Sequence, residues 1–337
     1  MKAVVLNEIR DIKVEDVDQP TGEPGEVLLK VAYCGICGTD LHAPVLDIFH
    51  PPVIMGHEFA GEVVDVGEGV GEWKAGDRVC VNPNAVVCGE CHWCKSGELQ
   101  FCAAIWQTAI GIVQPGGMES YVRVKPETLH SLPDGVSFVQ GAWVEPVAVA
   151  VRVVRRSEIK LGEDALVFGA GPIGLLVIQA LRAAGAGRIT AIEPSGYRRE
   201  IAGRVGADEV IDPLKEDLQS HFPDPARAPA HALECSGHPS AVSSALQVLR
   251  PRGRLTVVGI SPEPPSFESK DLLFKEIDIR GTFIYMEEFD MAIDLLNRGA
   301  IDVEALTTDV QPVERAEESF AKMRQPDKSI KIVLKPN

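Results

Sequence analysis

Through the first 145 or so residues, apolar positions fall in short alternating runs such as Val27-Leu28-Leu29 and Val122-Arg123-Val124, set apart by glycine and proline. That spacing predicts short strands joined by turns, a mostly-β unit. From about Leu161 the pattern becomes apolar strand, turn and helix, repeated, with strand-like runs at 165–169, 188–193, 208–212, 231–237, 254–259 and 277–282. Six strands alternating with helices predict an α/β unit built on a doubly wound parallel sheet. A helical pattern follows from Glu288 to Leu296, and the chain closes on the strand-like Ile330 to Leu334, expected to return to the first unit. The resulting division is 1–147 with 286–337 for the β-rich domain and 148–285 for the parallel sheet.

Composition narrows the partners. A chain of 337 residues with 45% hydrophobic content accommodates two cores. It holds no run of 18 or more apolar residues, and its start lacks the basic flank and apolar stretch of a signal peptide, so a cytoplasmic protein without membrane contact is expected. The formal charge of −16 repels nucleic acid and anionic lipid and favours a small-molecule substrate. Eight cysteines without an export signal are expected as thiols and thiolates.

Gly169-Ala170-Gly171-Pro172-Ile173-Gly174 follows one apolar strand directly and opens a helical run. Alone it would be only a glycine turn, but in that context it predicts a dinucleotide site of Rossmann type. Gly169 makes the turn, Gly171 admits a pyrophosphate, and Gly174 lets the helix pack on the strand beside Pro172 and Ile173. The helix N-terminus faces the phosphates. Glu193, 19 residues beyond Gly174, ends the next strand where a carboxylate accepts from the adenosine ribose hydroxyls; a solvated strand-end glutamate is the alternative. Arg198 and Arg199 offer charge to a 2′-phosphate, and Arg198 is also placed to stack on adenine. A carboxylate about 4 Å from a 2′-phosphate costs about 4 kcal/mol at an effective dielectric near 20, so NAD is expected over NADP.

Cys88, Cys91, Cys94 and Cys102 have the spacing C-x2-C-x2-C-x7-C. Four such thiolates suit tetrahedral zinc in a closed, structural site. A ferredoxin run would place its fourth cysteine after three residues and follow it with proline, whereas Cys102 precedes Ala103. Cys34, Cys80 and Cys235 fall outside metal spacings and are expected as buried thiols, and His92 is expected to face solvent. Trp106 and Trp143 are candidates either for a substrate pocket or for core packing.

Two further segments, Cys37-Gly38-Thr39-Asp40-Leu41-His42 and Gly56-His57-Glu58-Phe59-Ala60-Gly61, carry a thiolate and an imidazole suited to zinc in an open site, although a lone His or Cys is more often a core residue. Gly56 through Gly61, Gly67 and Val70 match the signature GHE-x2-G-x5-G-x2-V, and Gly76-Asp77-Arg78-Val79 the turn that follows it. By these motifs, in this order with the cysteine lobe and nucleotide turn, the chain resembles the zinc-containing medium-chain alcohol dehydrogenases over essentially its whole length. The resemblance implies a GroES-like catalytic domain, two zinc ions per subunit, and assembly as a homodimer or homotetramer. It implies that Cys37 and His57 are zinc ligands, with Asp40 orienting His57. Glu145, in Glu145-Pro146-Val147-Ala148-Val149-Ala150, stands where the liver-type branch has a cysteine ligand and matches the sorbitol, threonine and butanediol branch. Glu58 and Glu145 both remain candidate ligands.

The implied activity is hydride transfer between a secondary alcohol, diol or polyol and NAD. Zinc lowers the pKa of bound water from about 16 to about 7, and a substrate hydroxyl is expected to respond similarly. Thr39 is implied to accept the proton and pass it by the cofactor ribose to His42. A threonine-type hydroxy-amino acid dehydrogenase and a catalytically silent dinucleotide-binding relative are the alternatives, the second opposed by the presence of Cys37, Thr39, His42, His57 and Glu145 together.

Overall fold

The computed structural model of the chain describes residues 1–261 and 263–336. Its α/β half rests on a six-stranded sheet in the order Glu209–Ile211, Ile189–Ile192, Ala165–Phe168, His231–Glu234, Arg254–Val257, Asp278–Gly281. All neighbours are parallel. Each expected strand is present; the central ones, such as Ala165–Phe168, are buried and read as apolar runs, whereas the edge strand Asp278–Gly281 is mostly exposed. Strand order reverses beside Ala165–Phe168, so the crevice at its carboxyl end is the switch point where such sheets take ligands.

The β-rich half centres on Val27–Gly35. Along one path the order is Thr307–Pro312, Lys331–Lys335, Val27–Gly35, Glu58–Val66, Arg78–Val81 and Leu129–Ser131, with Tyr121–Val124 also paired to Val27–Gly35. The C-terminal strand therefore does return, antiparallel against Cys34 and Gly35. Ile12–Asp16, Lys2–Leu6 and Val53–Ile54 form a separate three-stranded sheet.

The Val144–Ser157 helix packs on Pro172–Ala183 and on Glu288–Asn297. Its apolar face, with Val147, Val151 and Val154, enters the core. Arg152 and Arg155 hold the buried Glu288 at 3.1 and 2.8 Å, which fixes the Glu288–Asn297 helix against it. Among the described residues, no helix is long and apolar enough to cross a membrane.

Candidate active site

Local chain geometry delivers the first two metal-type residues. Cys37 ends the loop after Val27–Gly35 and caps the short Gly38–His42 helix: the Thr39 N–H donates to its Sγ at 3.4 Å, and its own N–H donates to Asp40 Oδ2 at 2.9 Å. His57 immediately precedes Glu58–Val66, and Gly56 turns the chain there at φ +99°, where an added Cβ would lie 2.6 Å from Cys34 Sγ. Because Gly35 pairs with Glu58 across the two strands, Cys37 and His57 meet.

Donor atoms of Cys37, His57 and Glu58 lie within 4.8 Å of one another. Asp40, fully buried, places Oδ1 3.5 Å from His57 Nδ1. Burial disfavours charge on His57, but Asp40 and then Cys37 hold its pKa well above the ordinary value. Neither Asp40 Oδ1 nor His57 Nδ1 has a hydrogen-bond partner. A half-buried sulfur with a buried imidazole and carboxylate, and a further buried carboxylate close by, fit a divalent cation, whose charge would offset the crowding of acidic groups.

Glu145, at the start of Val144–Ser157, does not join the close set. Its carboxylate accepts from the Tyr285 hydroxyl, which in turn accepts from Asn84 Nδ2 at 3.1 Å. Burial pushes the Glu145 carboxyl up to about 7, partly offset by His57. On the other side of Glu58 stands Lys331, 2% exposed, its Nζ 2.6 Å from Glu58 Oε1 and 5.1 Å from the centre of the Trp143 ring. Burial alone would lower the Lys331 ammonium, yet Glu58 and Cys37 hold it above its usual value. Lys331, Tyr285 and Asn84 escaped the sequence reading.

Thr39 is half-buried beside Cys37, and His42 is exposed with Nδ1 2.9 Å from the Gly38 carbonyl. That bond leaves Nε2 as the ring nitrogen able to exchange a proton with water. Trp143 is fully buried with its indole N–H donating to Thr307 Oγ1 at 3.0 Å, so it packs the core. Trp106 is 48% exposed and stacks on Phe283 at 5.9 Å.

The cysteine lobe is a separate cluster. Sulfur separations are 3.9 Å for Cys88–Cys94, 3.5 Å for Cys91–Cys94 and 3.6 Å for Cys88–Cys102. Four sulfurs at zinc-bond length around one centre would stand roughly 3.8 Å apart. Backbone N–H groups of Cys88 and Cys91 point at sulfurs at 3.4 Å, and backbone donors pull the Cys88 thiol down to about 6. His92 faces solvent. Among the described residues all eight cysteines are free of disulfides.

At the switch point, Gly174 lies so close to the preceding turn that an added Cβ would stand 1.9 Å from the Gly169 carbonyl oxygen. Pro172 takes the first helical position, where its missing N–H costs nothing, and Ile173 follows it. Glu193 is 4% exposed and accepts the N–H groups of Ala170 at 2.7 Å and Ser195 at 2.9 Å. A carboxylate has about four acceptor positions, so two remain for a ligand. Arg198 Nη1 lies 3.7 Å from the position of a Cβ on Gly171, over the turn.

Comparison with known proteins agrees over the whole chain. The family "Alcohol dehydrogenase GroES-like domain" matches residues 23–134, and the family "Zinc-binding dehydrogenase" matches residues 172–298. The (R,R)-butanediol dehydrogenase of Bacillus subtilis is 37% identical, covering 100% of both chains. A sorbitol dehydrogenase of the same organism is 32% identical over 100% of this chain and 98% of its own. The crystal structure of a zinc-binding dehydrogenase from Sinorhizobium meliloti, bound to NADP, has a TM-score of 0.92 at 32% identity, covering 99% of each chain.

Proposed function

Because the chain belongs to the zinc-containing medium-chain alcohol dehydrogenase family, we propose that it transfers a hydride between a secondary alcohol, diol or polyol and NAD. The observation that carries this reading is the approach of Cys37, His57 and Glu58 donor atoms to within 4.8 Å of one another, in a chain that also holds a glycine-turn crevice for a dinucleotide. The catalytic lobe is 1–147 with 286–337, and the cofactor lobe is 148–285.

Cys37, His57 and Glu58 would hold the catalytic zinc, with Glu145 in reserve behind them, and Cys88, Cys91, Cys94 and Cys102 would hold a structural one. When bound, the catalytic ion supplies a Lewis acid that makes a substrate hydroxyl acidic, and the nicotinamide accepts the hydride. Asp40, with Oδ1 3.5 Å from His57 Nδ1, favours this orientation of the ring by its charge. Tyr285 fixes the Glu145 carboxylate, so that its position does not depend on solvent. Thr39 Oγ1 accepts the substrate proton as it gives up its own toward His42, which, exposed one turn along the same helix, releases a proton to water. Glu193, beside the Gly169–Gly174 turn, accepts from the adenosine ribose hydroxyls.

Incubation with NAD and a panel of vicinal diols, polyols, threonine and simple secondary alcohols, followed by NADH absorbance, tests the activity. Turnover of a diol or polyol is expected, with NAD favoured over NADP by at least about tenfold in kcat/KM; threonine as the best substrate, or parity of the two cofactors, contradicts the corresponding half of the reading. Elemental analysis of purified protein is expected to return close to two zinc ions per chain. Full activity at one ion per chain would remove one of the two sites.

A further inference from the structure

Asp327 lies between the Ala316–Met323 helix and the Lys331–Lys335 strand, in the catalytic lobe. Its carboxylate nevertheless reaches the other lobe: the Ser195 hydroxyl donates to Asp327 Oδ1 at 2.6 Å. Ser195 caps the Gly196–Arg204 helix, where its Oγ accepts the Arg198 N–H at 3.3 Å, and its own N–H donates to Glu193 Oε1 at 2.9 Å. One serine therefore ties together two carboxylates from two lobes.

The Arg198 side chain sits in the field of both carboxylates. Burial pushes its guanidinium below the usual value, while Glu193 and then Asp327 pull it back, and its Nε is buried without a partner. Arg199 is engaged elsewhere. Its Nη1 donates to the carbonyls of Glu193 and Pro194 at 2.8 and 2.7 Å, and its Nη2 lies 3.1 Å from Asp212. Of the two arginines that open this helix, Arg198 is the one left to meet a ligand, and the charges of Glu193 and Asp327 both act on it, the second held in place by its bond from Ser195.

A cofactor carrying a 2′-phosphate needs uncompensated positive charge beside the ribose, whereas NAD needs hydroxyl acceptors there. We propose that Asp327 is a second determinant of NAD over NADP, a carboxylate supplied by the catalytic lobe that neutralises Arg198 and repels a 2′-phosphate. The proposal rests on the assignment of the crevice to NAD. It makes the ribose end of the cofactor a place read by both lobes, joined through the Ser195–Asp327 hydrogen bond.

Two variants separate charge from structure. Asp327→Asn keeps an oxygen to accept from Ser195 but removes the charge, and Asp327→Ala removes both. Asp327 is exposed, so neither change empties the core. Dissociation constants for NADH and NADPH are measured by nicotinamide fluorescence, with no substrate present. In both variants the ratio of NADPH to NADH affinity is expected to rise about three- to fivefold over wild type. A ratio unchanged in Asp327→Asn overturns the proposal, as does a change confined to Asp327→Ala, which would credit the Ser195 bond and not the charge. Because each variant is read against wild type, the result decides the role of Asp327 whichever cofactor wild type prefers; wild type binding NADPH as tightly as NADH would instead overturn the assignment to NAD.

Discussion

Cys37→Ala and His57→Ala are each expected to lower diol turnover by at least about a thousandfold while leaving NADH affinity within about twofold of wild type. The first effect follows from the donor set. With one donor removed from a group gathered within 4.8 Å, the ion is bound weakly or in the wrong geometry. A Lewis acid at this position is asked to supply several kcal/mol of barrier reduction, and about 4 kcal/mol is already a thousandfold in rate. The second effect follows from distance along the fold, since the dinucleotide turn at Gly169–Gly174 belongs to a different sheet from the strands that carry these ligands. Turnover by NADH absorbance and binding by nicotinamide fluorescence are read on the same preparations. Turnover above a tenth of wild type in either variant would remove that residue from the metal site, and loss of NADH binding along with turnover would point to misfolding.

What could be read from the amino-acid order follows how local each feature is. The parallel strands were legible by their short apolar runs set between turn and helix signals, plainest in the fully buried Ala165–Phe168, while the exposed edge strand Asp278–Gly281 was marked by its place in that alternation and not by burial. The cysteine lobe was legible because its four sulfurs come from fifteen consecutive residues, 88 to 102, so spacing alone implies proximity. Cys37 and His57 stand twenty positions apart, and what joins them is the Gly35–Glu58 pairing, a register that motif spacing suggests but does not state.

The remainder depended on contacts from the other end of the chain. Tyr285, Asp327 and Lys331 reach groups in the first two thirds of the chain from its last sixth, and nothing in the immediate neighbours of Tyr285 or Asp327 marks them. The choice between Glu58 and Glu145 was open for the same reason: Tyr285 engages one and Lys331 the other. One signal was present. The run from Ile330 to Leu334 is buried throughout, and a lysine inside such a run requires a buried anionic partner, because an unpaired buried ammonium is too costly to keep.

That requirement sets the second large effect. Lys331→Met keeps a flexible apolar side chain of similar length but leaves Glu58, 1% exposed, without its cation. Breaking a buried ion pair by removing one partner costs about 3 to 5 kcal/mol, since the surviving charge stays desolvated. The lost contact with the Trp143 ring, 5.1 Å from Nζ, adds to it. In protein stripped of metal with a chelator, a fall in melting temperature of about 4 to 7 °C is expected. With zinc restored the fall should shrink, because the ion then supplies the positive charge that Glu58 has lost. The double change Lys331→Met with Glu58→Gln should recover much of the metal-free loss, as removing both charges leaves nothing to desolvate alone. Melting curves of the three proteins with and without zinc decide the matter. A single variant that melts with wild type in the absence of metal would show that Lys331 is not the counter-charge of Glu58, and a loss of equal size with and without zinc would separate Glu58 from the metal.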